Sequence, residues 1–307
     1  MSEITDYGKV FDILVSKTKE YLISNNLKAM ILGISGGIDS TVCAAICHEV
    51  SKQTGIPLIG RSLPTKNNKE EEITSADLVG NAFCDDYIVV NIHNLYQRVG
   101  VGITMAESGM LENPRYPQTK IADGNIQARL RMIYLYNLAS IRKGIVIDTD
   151  NLTEHNLGYF TIHGDVGDFN PIGGLWKTEV FELAKWLMGY YKDPNVRGYN
   201  EQATAIIMSF NLKPTAGLGI TNNDLEELGA ESYEQVDAIL QEIKAWEWLV
   251  SKRFDTFDSL QDMCERFLDE QQMLDIPMKI IVNVARRHFN SEFKRNYLPI
   301  KISRYEI

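Results

Sequence analysis

Apolar and polar positions in the first half of the chain alternate between two textures. Short unbroken apolar runs at residues 29–34, 57–63, 87–92 and 144–149 carry the signature of buried strands. Longer amphipathic stretches lie between them. Residues 40–52 place Val42, Ala45, Ile46 and Val50 on one helical face, and residues 69–83 and 125–142 predict two further long helices. A helical region and a loop over 108–123 separate the third strand from the last of these helices. Strands alternating with helices predict an α/β fold, a doubly wound parallel sheet covered on both faces. After about residue 190 the pattern changes. Pro194, Gly198, Pro214 and Gly217 interrupt a stretch of little periodicity, which predicts a loop or lid over 191–221. From residue 222 the chain is helical again: Val236, Ile239, Leu240 and Ile243 form a stripe that Trp246 and Val250 extend, and residues 277–288 predict another helix. The expected organisation is an α/β domain over 1–190, the lid insertion, and a helical C-terminal extension of the same domain over 222–307.

Composition narrows the classes of function. The chain has 307 residues, enough for a sizeable core, and 31 basic against 41 acidic residues give a formal charge of −10. Such an acidic balance argues against nucleic acid or an anionic membrane as partner, so a phosphate-bearing ligand must be held by local cations or backbone amides. The first ten residues lack the basic and apolar segments of a secretory signal, and no apolar run is long enough to span a bilayer. Cys43, Cys47, Cys84 and Cys264 form no C-x-x-C pair. Cys43 and Cys47 share a helix face in apolar surroundings and are expected to pack as core. A reducing, cytoplasmic location is expected.

The candidate chemistry begins where the first strand runs into Ser35-Gly36-Gly37-Ile38-Asp39-Ser40 and then a helix. Adjacent glycines let the backbone approach a ligand closely, and the helix N-terminus offers free N–H groups and the positive end of its dipole. Such a turn suits a pyrophosphate. It is not a Walker A loop, since no Gly-Lys-[Ser/Thr] follows. The alternative is a tight structural turn with Asp39 or Ser40 as helix N-cap. Downstream, Arg129 lies beside the stripe of Ile126, Leu130 and Ile133, where it either snorkels or reaches an anion, while Arg131 reads as solvent-facing. The fourth strand ends at Asp148-Thr149-Asp150-Asn151-Leu152-Thr153-Glu154, the position at which open parallel sheets bind ligands. Glu154 either joins Asp39 on Mg²⁺ or closes a capping box with Asn151. Lys177 opens a helix, where its charge opposes the helix dipole unless an anion lies nearby. Asp168, in a glycine-rich loop, either accepts from a ribose or amide or forms an Asx-turn.

Strand, S-G-G-x-D-S and helix together resemble the signature of the ATP-pyrophosphatase superfamily, whose members cleave ATP to AMP and pyrophosphate. With Gly124-Asn125-Ile126-Gln127-Ala128-Arg129-Leu130-Arg131-Met132 and the run from Thr149 to Lys177, the chain resembles the ammonia-dependent NAD synthetases over about residues 29–188. The resemblance recurs in Pro214-Thr215-Ala216, Glu227-Leu228-Gly229 and Phe293-Lys294-Arg295. It implies that Gly33, Ile34, the Ser35–Ser40 loop, Thr149, Lys177 and Thr215 contact ATP, that Asp39 and Glu154 hold Mg²⁺, and that Arg129, Asp168, Phe293 and Lys294 contact deamido-NAD. It further implies ammonia as nitrogen donor, with no amidase domain ahead of the ATP loop, and a homodimer with deamido-NAD across its two-fold interface. Four positions depart from the family pattern. Asp148 stands where glycine is usual, Ile162 for a lysine and Phe293 for a histidine, and the stretch from Lys177 to Pro214 is longer than in short members.

Overall fold

The computed structural model describes residues 4–108, 120–193, 201–212, 224–250, 276–295 and 300–301. Six parallel strands form one sheet in the order β3-β2-β1-β4-β5-β6. They are β1 (Met30–Gly33), β2 (Leu58–Ser62), β3 (Asp86–Val89), β4 (Ile145–Ile147), β5 (Phe169–Asn170) and β6 (Ile300–Lys301). The sequence pattern reveals the first four. The last two are only two residues long, too short for any periodicity to register.

The unbroken apolar runs follow from coverage on both faces. Met30 and Leu32 of β1 pack with helices α1 (Tyr7–Ser24), α2 (Ile38–Thr54) and α7 (Lys177–Lys192). Ile31 points the other way, joining Ile59 and Val146 beneath Leu130, Leu135 and Ala139 of α5 (Lys120–Arg142). Cys43 and Cys47 are buried in the first of these clusters, as their helical spacing predicts, and Cys264 lies outside the described residues.

Strand order reverses between β1 and β4. A doubly wound sheet binds ligands outside the carboxyl ends of the strands at that switch point. The Ser35–Ser40 loop leaves β1 there, and the Thr149–Glu154 segment leaves β4 beside it.

Three sequence expectations change. Residues 191–221 are not wholly a loop, because α8 (Glu201–Asn211) lies within them. Its Ala203, Ala205 and Ile206 are buried in the same cluster as β1, against α3 (Glu70–Phe83) and α7, so it belongs to the α/β core. Its apolar stripe spans only 11 residues between two prolines, too little to register as a helix. Helix α5 begins five residues before the predicted start.

The third change concerns its arginines. The buried face of α5 is Gly124, Gln127, Ala128, Met132, Leu135 and Ala139, with Leu130 at its edge, and Ile133 is 65% exposed. Arg131 therefore sits over the buried face and Arg129 on the exposed one, the reverse of the sequence reading. The apolar residues Ile126 and Ile133 had suggested the wrong stripe.

The C-terminal helices have a core of their own. Leu228 of α9 (Asp224–Leu228), Val236, Ile239 and Leu240 of α10 (Tyr233–Val250) and Ile281 and Val284 of the helix Met278–Asn290 pack around Trp176 with Leu152 and Leu157 of α6 (Leu152–Leu157). This helical region is thus built onto the segments that follow β4 and precede α7.

Candidate active site

The two glycines of the loop differ in kind. Gly36 has φ of +84°, and a Cβ there would lie 2.5 Å from the Glu72 carbonyl oxygen and 2.7 Å from the Ala76 nitrogen. The loop is pressed against α3, whose Ser75 hydroxyl donates to the Gly36 carbonyl at 2.7 Å. Gly37 has an ordinary φ of −76°, and a Cβ there would meet only the Ser35 hydroxyl, at 3.4 Å. The fold itself asks for no glycine at 37.

Gly37, not Asp39 or Ser40, is the N-cap of α2, and no side chain caps that end. The Ser40 hydroxyl turns back to donate to the Gly37 carbonyl at 3.0 Å, and Ser35 and Ser40 hydroxyls lie 2.9 Å apart. An uncapped helix end with an open approach at Gly37 is suited to an anion. Ile38 is core, and its contribution to the loop is backbone.

Asp39, free of the capping role, reaches across the switch point. Lys177 Nζ lies 2.5 Å from Asp39 Oδ2 and 3.2 Å from Glu154 Oε1, and Asn151 Nδ2 donates to Asp39 Oδ1 at 2.9 Å. Burial pulls the Lys177 pKa down, but the two carboxylates outweigh it and hold the ammonium protonated, well above its ordinary value. Burial raises Glu154, Lys177 opposes this, and Asp39 adds to it. The capping reading of Glu154 holds: Asn151 Oδ1 accepts from the Glu154 N–H at 3.0 Å while Glu154 Oε2 accepts from the Asn151 N–H at 3.4 Å, and the other oxygen meets Lys177.

Asp39 and Glu154 carry the hard oxygen donors that suit Mg²⁺, which commonly takes one or two carboxylates and completes its shell with phosphates and water, and in this structure both meet the Lys177 ammonium. Among the described residues no group of three or more His, Cys, Asp or Glu forms a self-sufficient metal site. A cation here needs ligands from elsewhere, as a nucleotide's phosphates provide.

The cleft beside this triad has a volume of about 580 Å³. Gly33, Ile34, Ser35, Asp39, Ser40, Thr149 and Glu154 line it, and so does Lys294. Lys294 Nζ donates to the Gly158 carbonyl at 2.7 Å and the Phe160 carbonyl at 2.5 Å, and burial lowers its pKa. Gly36, Gly37, Ile38, Lys177, Arg129, Asp168 and Phe293 are not among the lining residues. Arg129 is exposed and donates to the Ile162 carbonyl at 3.3 Å. Asp168 accepts from the Tyr136 hydroxyl at 3.0 Å and the Val146 N–H at 3.3 Å. Phe293 is 62% exposed, and Thr215 lies outside the described residues.

Arg131 and Asp165 are among the lining residues that sequence reasoning missed. Arg131 Nε donates to the Leu63 carbonyl at 3.1 Å and Nη2 to Asn68 Oδ1 at 3.3 Å, and burial lowers its pKa. Asp165 accepts from the Thr161 N–H at 2.6 Å, and burial lifts its carboxyl to about 6 against the pull of Lys294 and Arg131. The same glycine-rich run holds two Gly-Asp pairs, at Asp165 and Asp168. Nothing in their spacing tells which one faces the cleft.

The profile of the family "NAD synthase" matches residues 10–297. The chain is 33% identical to the NH(3)-dependent NAD(+) synthetase of Methanococcus aeolicus, over 77% of this chain and 82% of that protein. It is 34% identical to the protein of the same name from Finegoldia magna, over 76% and 85%. Among solved structures, NMN synthetase from Francisella tularensis superposes with a TM-score of 0.68 at 26% identity, covering 95% of this chain and 97% of that one. NH3-dependent NAD synthetase from Campylobacter jejuni shares the fold, with a TM-score of 0.65 at 21% identity. With the match spanning nearly every element described above, this chain belongs to the NAD synthase family.

Proposed function

We propose that the chain makes NAD from deamido-NAD, ATP and ammonia, releasing AMP and pyrophosphate. The observation that carries this reading is the convergence of the uncapped loop end, Asp39, Glu154 and Lys177 at the switch point of the sheet. The nicotinate carboxylate attacks the α-phosphorus of ATP and pyrophosphate leaves, giving an acyl-adenylate. Ammonia then adds to the acyl carbon, loses a proton, and expels AMP with the former carboxylate oxygen. The loop amides and Lys177 stabilise negative charge on the transferring phosphoryl group without reorganising. Asp39 and Glu154 would hold Mg²⁺, which would supply further charge neutralisation on the triphosphate. Asp165, with a carboxyl near 6 facing the cleft, is the group suited to take the proton that the added ammonia sheds.

The substrate residues outside this cleft find their role in a dimer. Arg129, Ile133 and Tyr136 stand on one exposed face of α5, with Asp168 hydrogen-bonded to Tyr136. Pairing two such faces would bring them to deamido-NAD across a two-fold axis. A second reading of the acceptor, nicotinate mononucleotide, draws support from the likeness to an NMN synthetase over nearly the whole of both chains. One experiment tests both: purified protein with ATP, Mg²⁺ and ammonium is offered each acid in turn, and the amide is measured. NAD formation supports the first reading. A higher kcat/KM for the mononucleotide would move the assignment to the second, and no amide from either would overturn both.

A further inference from the structure

We propose that Asp237, on α10 of the C-terminal helical region, is a positioning residue that fixes Lys177 for phosphoryl transfer. This rests on the reading of Lys177 given above. The N-terminus of α7 has a defect in its own sequence: its N-cap is Trp176, whose indole can donate but not accept. The N–H groups of Lys177 and Thr178 are satisfied from other elements, while the Trp176 N–H goes to Glu179 of the same helix. Lys177 N–H donates to Thr153 Oγ1 at 2.8 Å, and the Thr153 hydroxyl donates onward to Asp237 Oδ1 at 2.5 Å. Asp237 Oδ2 takes the Thr178 N–H at 3.0 Å and the Thr178 hydroxyl at 2.8 Å.

Three donors on one carboxylate, at the positive end of a helix, make a cap supplied from another element. Asp237 and Thr153 are 2% and 1% exposed, so water does not compete for these bonds. One turn earlier on α10, the Tyr233 ring lies 5.6 Å from Lys177 Nζ. Helix α10 thus holds Lys177 at both ends, the backbone through Asp237 and Thr153 and the ammonium through Tyr233. Thr153 also precedes Glu154, so the same bridge sets the start of α6 against the start of α7. A buried carboxylate is a costly way to close a helix end that Ser or Asp at position 176 would close locally. The arrangement makes the geometry of Lys177 depend on the seating of the C-terminal helices.

The test is a double-mutant cycle between Asp237→Asn and Lys177→Gln, reading kcat and the KM for ATP together with the thermal midpoint. Asp237→Asn is expected to lower kcat by about 10- to 100-fold while KM for ATP moves less than about threefold. In the Lys177→Gln background it should cost less than about twofold more, since the group it positions is gone. An equal loss in both backgrounds, or unchanged kcat with only a lower midpoint, would reduce Asp237 to a structural cap and overturn the proposal. Full activity in Lys177→Gln alone would remove the reading of Lys177, and the proposal with it. Should Asp237→Asn fail to fold, Thr153→Val breaks the same bridge. It should lower kcat similarly, and Thr153→Ser, which keeps the hydroxyl, should restore most of the loss; no restoration counts against the bridge.

Discussion

Alanine at the two adjacent loop glycines should separate folding from ligand binding. At Gly36 the left-handed backbone (φ +84°) disfavours any side chain, and the new Cβ meets backbone atoms of α3 at 2.5 and 2.7 Å. Backbone cannot rotate aside as a side chain can. The left-handed conformation costs about 1–2 kcal/mol and overpacking about 1–3 kcal/mol. Together they predict a loss of about 2–5 kcal/mol, which lowers the thermal midpoint by roughly 4–15 °C in a chain of this size. At Gly37 the backbone is ordinary and the nearest neighbour of a new Cβ is 3.4 Å away. Alanine is a poorer N-cap than glycine, but it also reduces unfolded-chain entropy by about 0.4–1 kcal/mol, so the net change should stay within about 0.5 kcal/mol. If a phosphate lies against Gly37, however, the added methyl occupies its approach, and the KM for ATP should rise at least tenfold. Urea unfolding of both variants, with steady-state kinetics in ATP, decides the matter. A Gly37→Ala protein with wild-type kinetics would refute the placement of the phosphates, and a Gly36→Ala protein of wild-type stability would refute the packing argument.

Glu154→Gln can keep the capping bond to the Asn151 N–H but then presents an amide NH2 where Glu154 Oε1 meets Lys177, so stability should fall by about 1–3 kcal/mol. Turnover should fall at least about 100-fold through the loss of a metal ligand, and near-normal turnover at saturating Mg²⁺ would sink that role. Burial lifts the Asp237 carboxyl to about 6 from an ordinary 3.8, so the folded state holds a proton that the unfolded chain has released between those values. Stability should therefore fall as pH rises from about 4 to about 6, by up to about 3 kcal/mol from this group, and be level above. Denaturant midpoints of Asp237→Asn should show a correspondingly shallower fall, and an identical slope contradicts the assignment. Ile133→Glu, on the exposed face of α5, should convert a dimer to a monomer in sedimentation velocity, with the fold intact by circular dichroism. A wild-type protein that is already monomeric and fully active would exclude the dimer. With ¹⁵N-amide glutamine as the sole nitrogen source the chain should form no labelled NAD, whereas ¹⁵N-ammonium should label it.

Strands β1 to β4 and the long helices were legible because double-sided burial writes unbroken apolar runs, and one-sided burial writes helical stripes. The residues that meet at the switch point were legible where chemistry and local backbone coincide, as in the Ser35–Ser40 loop, Asp39, Glu154 and Lys177. Arg131 and Arg129 were exchanged because α5 buries a face containing Gly124, Gln127 and Ala128 and exposes isoleucines at 133 and 141. A hydrophobic stripe facing solvent misleads any reading that turns every apolar residue toward the core. Asp165 and Asp237 were invisible for another reason. Their settings come from burial and from partners distant in sequence, such as Thr153, 84 residues from Asp237, and no local pattern records such a contact.

Isotope transfer follows the adenylation step directly. Deamido-NAD labelled with ¹⁸O in both oxygens of the nicotinate carboxylate is turned over with unlabelled ATP, Mg²⁺ and ammonium, and the products are weighed by mass spectrometry. If the carboxylate attacks the α-phosphorus and ammonia then expels AMP, one ¹⁸O appears in AMP and one remains in the NAD amide, while pyrophosphate stays unlabelled. Label in the released pyrophosphate, or AMP without label while NAD accumulates, would contradict attack at the α-phosphorus and with it the chemistry assigned to this cleft.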